Sequence, residues 1–224
     1  MAGPLRGRRS GDRVVDPVQE EYSQLAHVYD DRWKHYVRAT IHETLKRLEV
    51  RPGLEILDVG CGTGALLSAL ERRHPKLMLA GVDPTMAMLE IARSRVSENV
   101  ALEQSRAESL PFDGASFDVV LSCSMFHYVR RPLLALEEMK RVLKPGGRLV
   151  LTDWCDDYLA CKICDLFLRW FNEAHHKTYG RAECQRLLAA AGFDRIDIEV
   201  YKIDWLWGMM TATAEKKTTA EKRS

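Results

Sequence analysis

Glu55-Ile56-Leu57-Asp58-Val59-Gly60-Cys61-Gly62-Thr63-Gly64 is an apolar strand running into a loop with three glycines in five positions, and it carries an acid near the strand's end. Glycines in such a loop let the backbone approach a ligand closely, because no Cβ stands in the way. Nineteen residues past Gly64, a second short apolar run (Leu77 to Val82) ends in Asp83. An acid at the tip of a second strand is placed to grip a ribose diol. Together these features describe a nucleoside-cofactor site on a doubly wound sheet.

The spacing alone fits two cofactors. Gly60-x-Gly62-x-x-Ala65 also satisfies the loose dinucleotide fingerprint, with alanine at the third place. A dinucleotide sets a doubly anionic pyrophosphate over this loop and the helix N-terminus behind it. The carboxylate of Asp58, two residues before the first glycine, would repel that group. S-adenosylmethionine instead carries an α-ammonium and a sulfonium, both cationic. Asp58 attracts them, while the helix N-terminus can receive the methionine carboxylate. The loop therefore suits a methyl donor better than a nicotinamide.

Three later segments follow in order: Gly81-Val82-Asp83; Ala107-Glu108-Ser109-Leu110-Pro111-Phe112 with Ser116-Phe117-Asp118; and Leu143-Lys144-Pro145-Gly146-Gly147-Arg148-Leu149. With the glycine loop they make the chain resemble the class I S-adenosylmethionine-dependent methyltransferases. The likeness is to the small-molecule branch that includes quinone-biosynthesis C-methyltransferases, and it runs from about Tyr22 to Phe193. It implies an α/β, doubly wound, Rossmann-like and mostly parallel seven-stranded sheet. An antiparallel edge strand and helices on both faces complete that fold.

Composition is in keeping with one α/β domain. The chain has 224 residues, 46% hydrophobic and 29% charged, with a net charge of +1. No basic field argues for nucleic acid. No apolar run approaches a membrane span, and the N-terminus lacks a secretory core. Cysteines 61, 123, 155, 161, 164 and 184 read as free thiols in a reducing, cytoplasmic setting. Cys161-x-x-Cys164 is a lone pair, read as one buried helix face rather than a metal or arsenic site. No resident metal is expected.

Residues 1–16 read as a disordered tail, 17–213 as the methyltransferase domain and 214–224 as a flexible tail. Helices are expected over 17–29 and 32–49. Then come strand 54–59, helix 63–73, strand 77–82, helix 85–95, strand 99–104, strand 117–123, helix 131–143 and strand 147–153. This alternation predicts parallel strands joined by crossovers. Beyond it, 155–173 reads as an aromatic helix, 181–191 as an amphipathic one, and 194–201 and 204–213 as strands.

The resemblance assigns the site. Gly60, Cys61, Gly62 and Gly64 shape the floor under the methionine part; Asp58 holds the ammonium; Asp83, followed by Pro84, accepts the ribose hydroxyls. Ala107 and Glu108 border the adenine. The family often has an aspartate just before that pair; here the position is Arg106, which offers no acceptor. The loop after the fourth strand, beginning at Ser122 and including Met125, should face the methyl group. His127 is the candidate general base, set against a purely packing role. Tyr22, Tyr29, Trp33, Trp154 and Tyr158, with a 154–179 cover, are candidates for an acceptor pocket, although helical spacing alone also explains aromatic core residues.

An enzyme moving a methyl group to a small, aromatic or quinone-like acceptor is the leading expectation. A nicotinamide oxidoreductase competes, and so does a non-catalytic cofactor-binding module. The sequence names neither the acceptor nor the oligomeric state.

Overall fold

The computed structural model describes residue 23 and residues 33–158, 177–204 and 207–218. Helix α1 (Lys34–Lys46) is followed by β1 (Glu55–Val59), α2 (Ala65–Arg73), β2 (Met78–Asp83), α3 (Met86–Arg95), β3 (Ala101–Gln104) and β4 (Phe117–Cys123). After a short 3-10 turn (Phe126–Tyr128), helix α4 (Pro132–Val142) runs into β5 (Leu143–Trp154); α5 (Arg181–Ala190), β6 (Asp194–Lys202) and β7 (Gly208–Glu215) complete the described elements. One sheet holds all seven strands, in the order β3-β2-β1-β4-β5-β7-β6. The first five pair in parallel, and β7 runs antiparallel to both β5 and β6.

Burial on both faces explains why the central strands read as unbroken apolar runs. Side chains alternate along β1. Ile56 packs with Leu66, Leu67 and Leu70 of α2, whereas Leu57 and Val59 pack with Leu136 and Met139 of α4. Asp58 is in phase with Ile56 and so projects on the side of α1 and α2. The chain leaves β1 outward to β2 and β3, then returns to β4 on β1's other side. A crevice opens at the strand C-termini where the order reverses, which is where open α/β sheets bind ligands.

The opposite end of the sheet is pinned. Lys144 Nζ lies 2.5 Å from Glu55 Oε2 and 3.0 Å from Asp118 Oδ2, and Asp118 also accepts the Glu55 N–H at 2.9 Å. Burial pushes the Asp118 carboxyl up, but these partners outweigh it and hold the carboxyl below its usual value.

Two expectations change. Residues 144–146, left between the expected helix over 131–143 and the expected strand over 147–153, do not form a turn preceding the strand. Strand β5 begins at Leu143, and the register jumps from Phe117↔Leu143 to Val119↔Arg148, so the turn is looped out within the ladder. Nor does a helix start at residue 155: Cys155 bridges to Tyr179, and a turn at 156–157 and a bend at 158 follow. The remainder of that expected helix, the helix over 17–29 apart from residue 23, and Cys161 and Cys164 lie outside the described residues. Among the described residues no helix is long and apolar enough to cross a membrane.

Candidate active site

The loop after β1 gets its shape from backbone that only glycine adopts easily. Gly60, Gly62 and Gly64 have φ of +76°, +51° and +74°. The N–H groups of Gly60 and Cys61 both donate to Val82 O, at 2.8 and 2.9 Å, fastening the loop to the end of β2. The first two glycines differ in what surrounds them. A Cβ on Gly60 would collide with the Met125 side chain, whereas one on Gly62 would meet nothing within 4 Å. Gly62 thus presents bare backbone to open space.

Asp83 ties the loop to α3. Its Oδ2 accepts the Gly62 N–H at 3.0 Å and its Oδ1 accepts the Thr85 N–H at 2.8 Å. A carboxylate has about four lone-pair sites, so capacity for a diol remains. Asp58 is 2% exposed, and its Oδ1 has no hydrogen-bond partner among the described residues. Burial, with the nearby Asp83 charge adding to it, pushes the Asp58 carboxyl up to about 7. Burial likewise raises Asp83 to about 6, against the opposing hydrogen bonds from Thr85 and Gly62. Two buried acids that resist ionising together favour a cationic guest.

A single cleft gathers most of the residues singled out in the sequence. Asp58, Gly60, Cys61, Gly62, Asp83 and Pro84 line it on the loop side. Ala107, Glu108 and Met125 line it from the side, and Arg106 does so as well. The segment carrying Ala107 and Glu108 is anchored to α4. Arg141 donates to Phe112 O at 2.7 Å and Leu110 O at 2.9 Å, while Glu138 accepts the Leu110 N–H at 2.9 Å.

Other candidates lie off the cleft wall. Gly64 closes the loop against Ala92 instead. Ser122 is fully buried, and the reason is strand phase: it alternates with Cys123, which does line the cleft. His127 is 2% exposed; its ring donates from Nδ1 to Asp153 Oδ1 at 2.6 Å and stacks on Trp154, with centroids 4.7 Å apart and planes 13° apart. Tyr158 packs toward Lys202 and Gly208. Trp33 and Trp154 belong to an aromatic cluster with Tyr36 and Trp207, their ring centroids 4.8–6.4 Å apart. Tyr22 and Tyr29 lie outside the described residues.

Helix α1 supplies wall residues that sequence reasoning missed, Tyr36 and Thr40 above all. Their four-residue spacing, continued by buried Thr44, was the available signal for one inward face. Tyr36 is anchored on two sides. Its hydroxyl accepts from Trp154 Nε1–H at 2.6 Å and donates to Ser124 Oγ at 2.7 Å. Ser124 holds a left-handed φ of +57° at the head of the loop.

Comparison with known proteins agrees with this geometry. A methyltransferase-domain family profile matches residues 57–151. The demethylmenaquinone methyltransferase of Staphylococcus aureus is 27% identical, across 90% of this chain and 92% of that one. Among solved structures, a chain from the complex of the Haloferax volcanii Trm112 methyltransferase activator with a methyltransferase superposes with a TM-score of 0.78. It is 21% identical, covering 88% of this chain and 98% of its own. An S-adenosylmethionine-dependent methyltransferase from Thermotoga maritima gives 0.73 at 22% identity, covering 89% and 100%. The glycine loop between two buried acids, the reversal of strand order beneath it and these similarities together support a class I S-adenosylmethionine-dependent methyltransferase.

Proposed function

We propose that the enzyme transfers the methyl group of S-adenosylmethionine to a small acceptor of planar, aromatic or quinone-like character. One observation carries the cofactor's placement: the buried Asp58 Oδ1, without a partner among the described residues, beside the open backbone of Gly62. The residues fit the cofactor. Asp58 would face the ammonium, Asp83 the ribose diol, and Ala107 with Glu108 the adenine edge. When bound, S-adenosylmethionine supplies a methyl group already activated by its sulfonium. What remains for the protein is to align the acceptor and exclude water.

Tyr36 and the aromatic cluster behind it support a planar acceptor, as does the likeness to a demethylmenaquinone methyltransferase. For His127 we propose support of the wall through Asp153 and Trp154 rather than the base role, since its ring lies off the cleft.

Calorimetric titration with S-adenosylmethionine, S-adenosylhomocysteine and NADH tests the cofactor assignment. The two sulfur nucleosides should bind, NADH should not, and Asp58→Ala should weaken the former at least tenfold. Binding of NADH alone, or unchanged affinity in Asp58→Ala, would sink the assignment. Turnover of naphthoquinol- and phenol-type acceptors, against aliphatic amines, tests the acceptor class.

A further inference from the structure

Beside the cofactor cleft runs a second groove, between α1 and α2, enclosing about 490 Å³. Its charged lining is of one sign. Lys34 and Arg38 come from α1, Arg72 and Arg73 from α2, Arg95 from α3, and no carboxylate lines it among the described residues. On a chain whose net charge is only +1, five cations around one groove form a local positive field.

Helix dipoles account for only part of this. Arg72, Arg73 and Arg95 sit in last turns, where a cation is favourable. Lys34 opens α1 and Arg38 follows one turn later, with no acid in that first turn. Cations at the positive end of a helix are unfavourable unless an anion offsets them. Two of the arginines are also held in place. Arg72 donates to Ser68 Oγ at 2.6 Å, and Arg95 donates to Thr63 Oγ1 at 2.9 Å. Thr63 belongs to the glycine loop, so the groove and the cofactor site share a mechanical link.

The two cavities also share a wall, since Val37, Ile41 and Ala65 line both. The groove and the cleft therefore adjoin, with these three side chains between them. The volume matches a small-molecule site, for which roughly 300–1,000 Å³ is usual. A concave slot between two helices suits a compact anionic group better than a bilayer or a duplex.

We infer that the methyl acceptor carries a phosphate-type anionic arm, bound in this groove by Arg38, Arg72 and Arg73 while its reacting part enters the cleft. The inference rests on the methyl-transfer function proposed above. Arginine suits the role because its planar fork bonds phosphate oxygens in pairs.

The test uses the full chain at fixed ionic strength, with inorganic tripolyphosphate as the probe and S-adenosylhomocysteine titrated on the same samples. Tripolyphosphate should bind the wild type and bind Arg38→Gln/Arg72→Gln at least tenfold more weakly. The exposed Arg93→Gln/Arg186→Gln pair, outside the groove, should leave it unchanged. S-adenosylhomocysteine affinity should stay within about twofold throughout, which also shows that the variants fold. Equal tripolyphosphate binding in both variants, or none in the wild type, overturns the inference while leaving methyl transfer standing. So does a parallel loss of S-adenosylhomocysteine in the groove variant, which would assign the cations to the cofactor's carboxylate. Tighter binding to phosphatidylglycerol vesicles or a short oligonucleotide, lost in the same variant, would replace the small anion with a macromolecule. Failure of the wild type to bind S-adenosylhomocysteine strikes the functional proposal itself and takes this one with it.

Discussion

Gly60 and Gly62 stand two residues apart with left-handed backbones, and they should fail differently when changed. Alanine at either place costs about 1–2 kcal/mol for the backbone alone. At Gly60 the added methyl also runs into Met125, whose Cβ would lie 2.7 Å away. Gly60→Ala should therefore lower stability by about 2–4 kcal/mol, read from the midpoint of urea unfolding. At Gly62 nothing protein-borne is in reach, so Gly62→Ala should lose only that backbone cost yet bind S-adenosylhomocysteine at least tenfold more weakly. Unchanged S-adenosylhomocysteine affinity in Gly62→Ala would show that the open space over Gly62 is not where the ligand lies. His127 admits a similar split. In His127→Asn, turnover within about threefold of wild type, with a lowered unfolding midpoint, fits a wall-supporting ring. A drop of a hundredfold or more in kcat with a flattened pH profile and unchanged KM would restore the base role.

At the scale of elements, α1 is keyed to the sheet by hydroxyls rather than by apolar contact alone. Thr44 Oγ1 lies 2.8 Å from Thr152 Oγ1 on β5; that oxygen is 3.0 Å from Thr211 Oγ1 on β7, which is 2.8 Å from Tyr201 OH on β6. A fully satisfied buried chain of this kind specifies one register of helix on sheet. Thr44→Val removes one member and leaves Thr152 short of a partner, so it should cost about 1–2 kcal/mol. Thr44→Ser should cost less than half as much, because the hydroxyl stays. Chemical denaturation of both variants checks this, and equal losses would mean that the methyl, not the hydroxyl, matters. Much of the element order was legible in the sequence, because its punctuation is local. Glycines, prolines and apolar runs place β1, β2, β4, α3 and α5 within a residue or so. The loop, Asp58 and Asp83 were legible for the same reason: a strand's end fixes where its acid projects. What escaped depends on distant partners. Ser122 was assigned to the site because its strand phase was not visible. Tyr36 and Thr40 were missed because the face a helix turns toward the cleft is set by packing. The start of β5 at Leu143 is decided by Phe117 on its neighbour, not by its own residues.

For the molecule as a whole, the two buried acids set how stability depends on pH. Asp58 and Asp83 titrate at about 7 and about 6 when folded, both raised from 3.8 by burial. The folded state therefore keeps protons that the unfolded chain has released. Stability from this source is full below pH 3.8 and is lost as pH rises through 6 and then 7. Each proton held only by the folded chain tilts the curve by about 1.4 kcal/mol per pH unit. Asp118 and Glu138, held below their usual values, act with the opposite sign but only below about pH 4.5. In the window from pH 5 to 8 the ligand-free enzyme should thus lose melting temperature as pH rises, and Asp58→Asn should flatten that slope. A cationic guest reverses the balance, because it favours the ionised carboxylate. S-adenosylmethionine should bind more tightly at pH 8 than at pH 5.5, and its stabilisation of the melt should grow over the same range. Ligand at a hundredfold excess over Kd adds about 2.7 kcal/mol, enough to read by differential scanning fluorimetry at each pH. A ligand-induced shift that stays constant from pH 5.5 to 8 would mean that the cofactor's positive charge does not rest on Asp58.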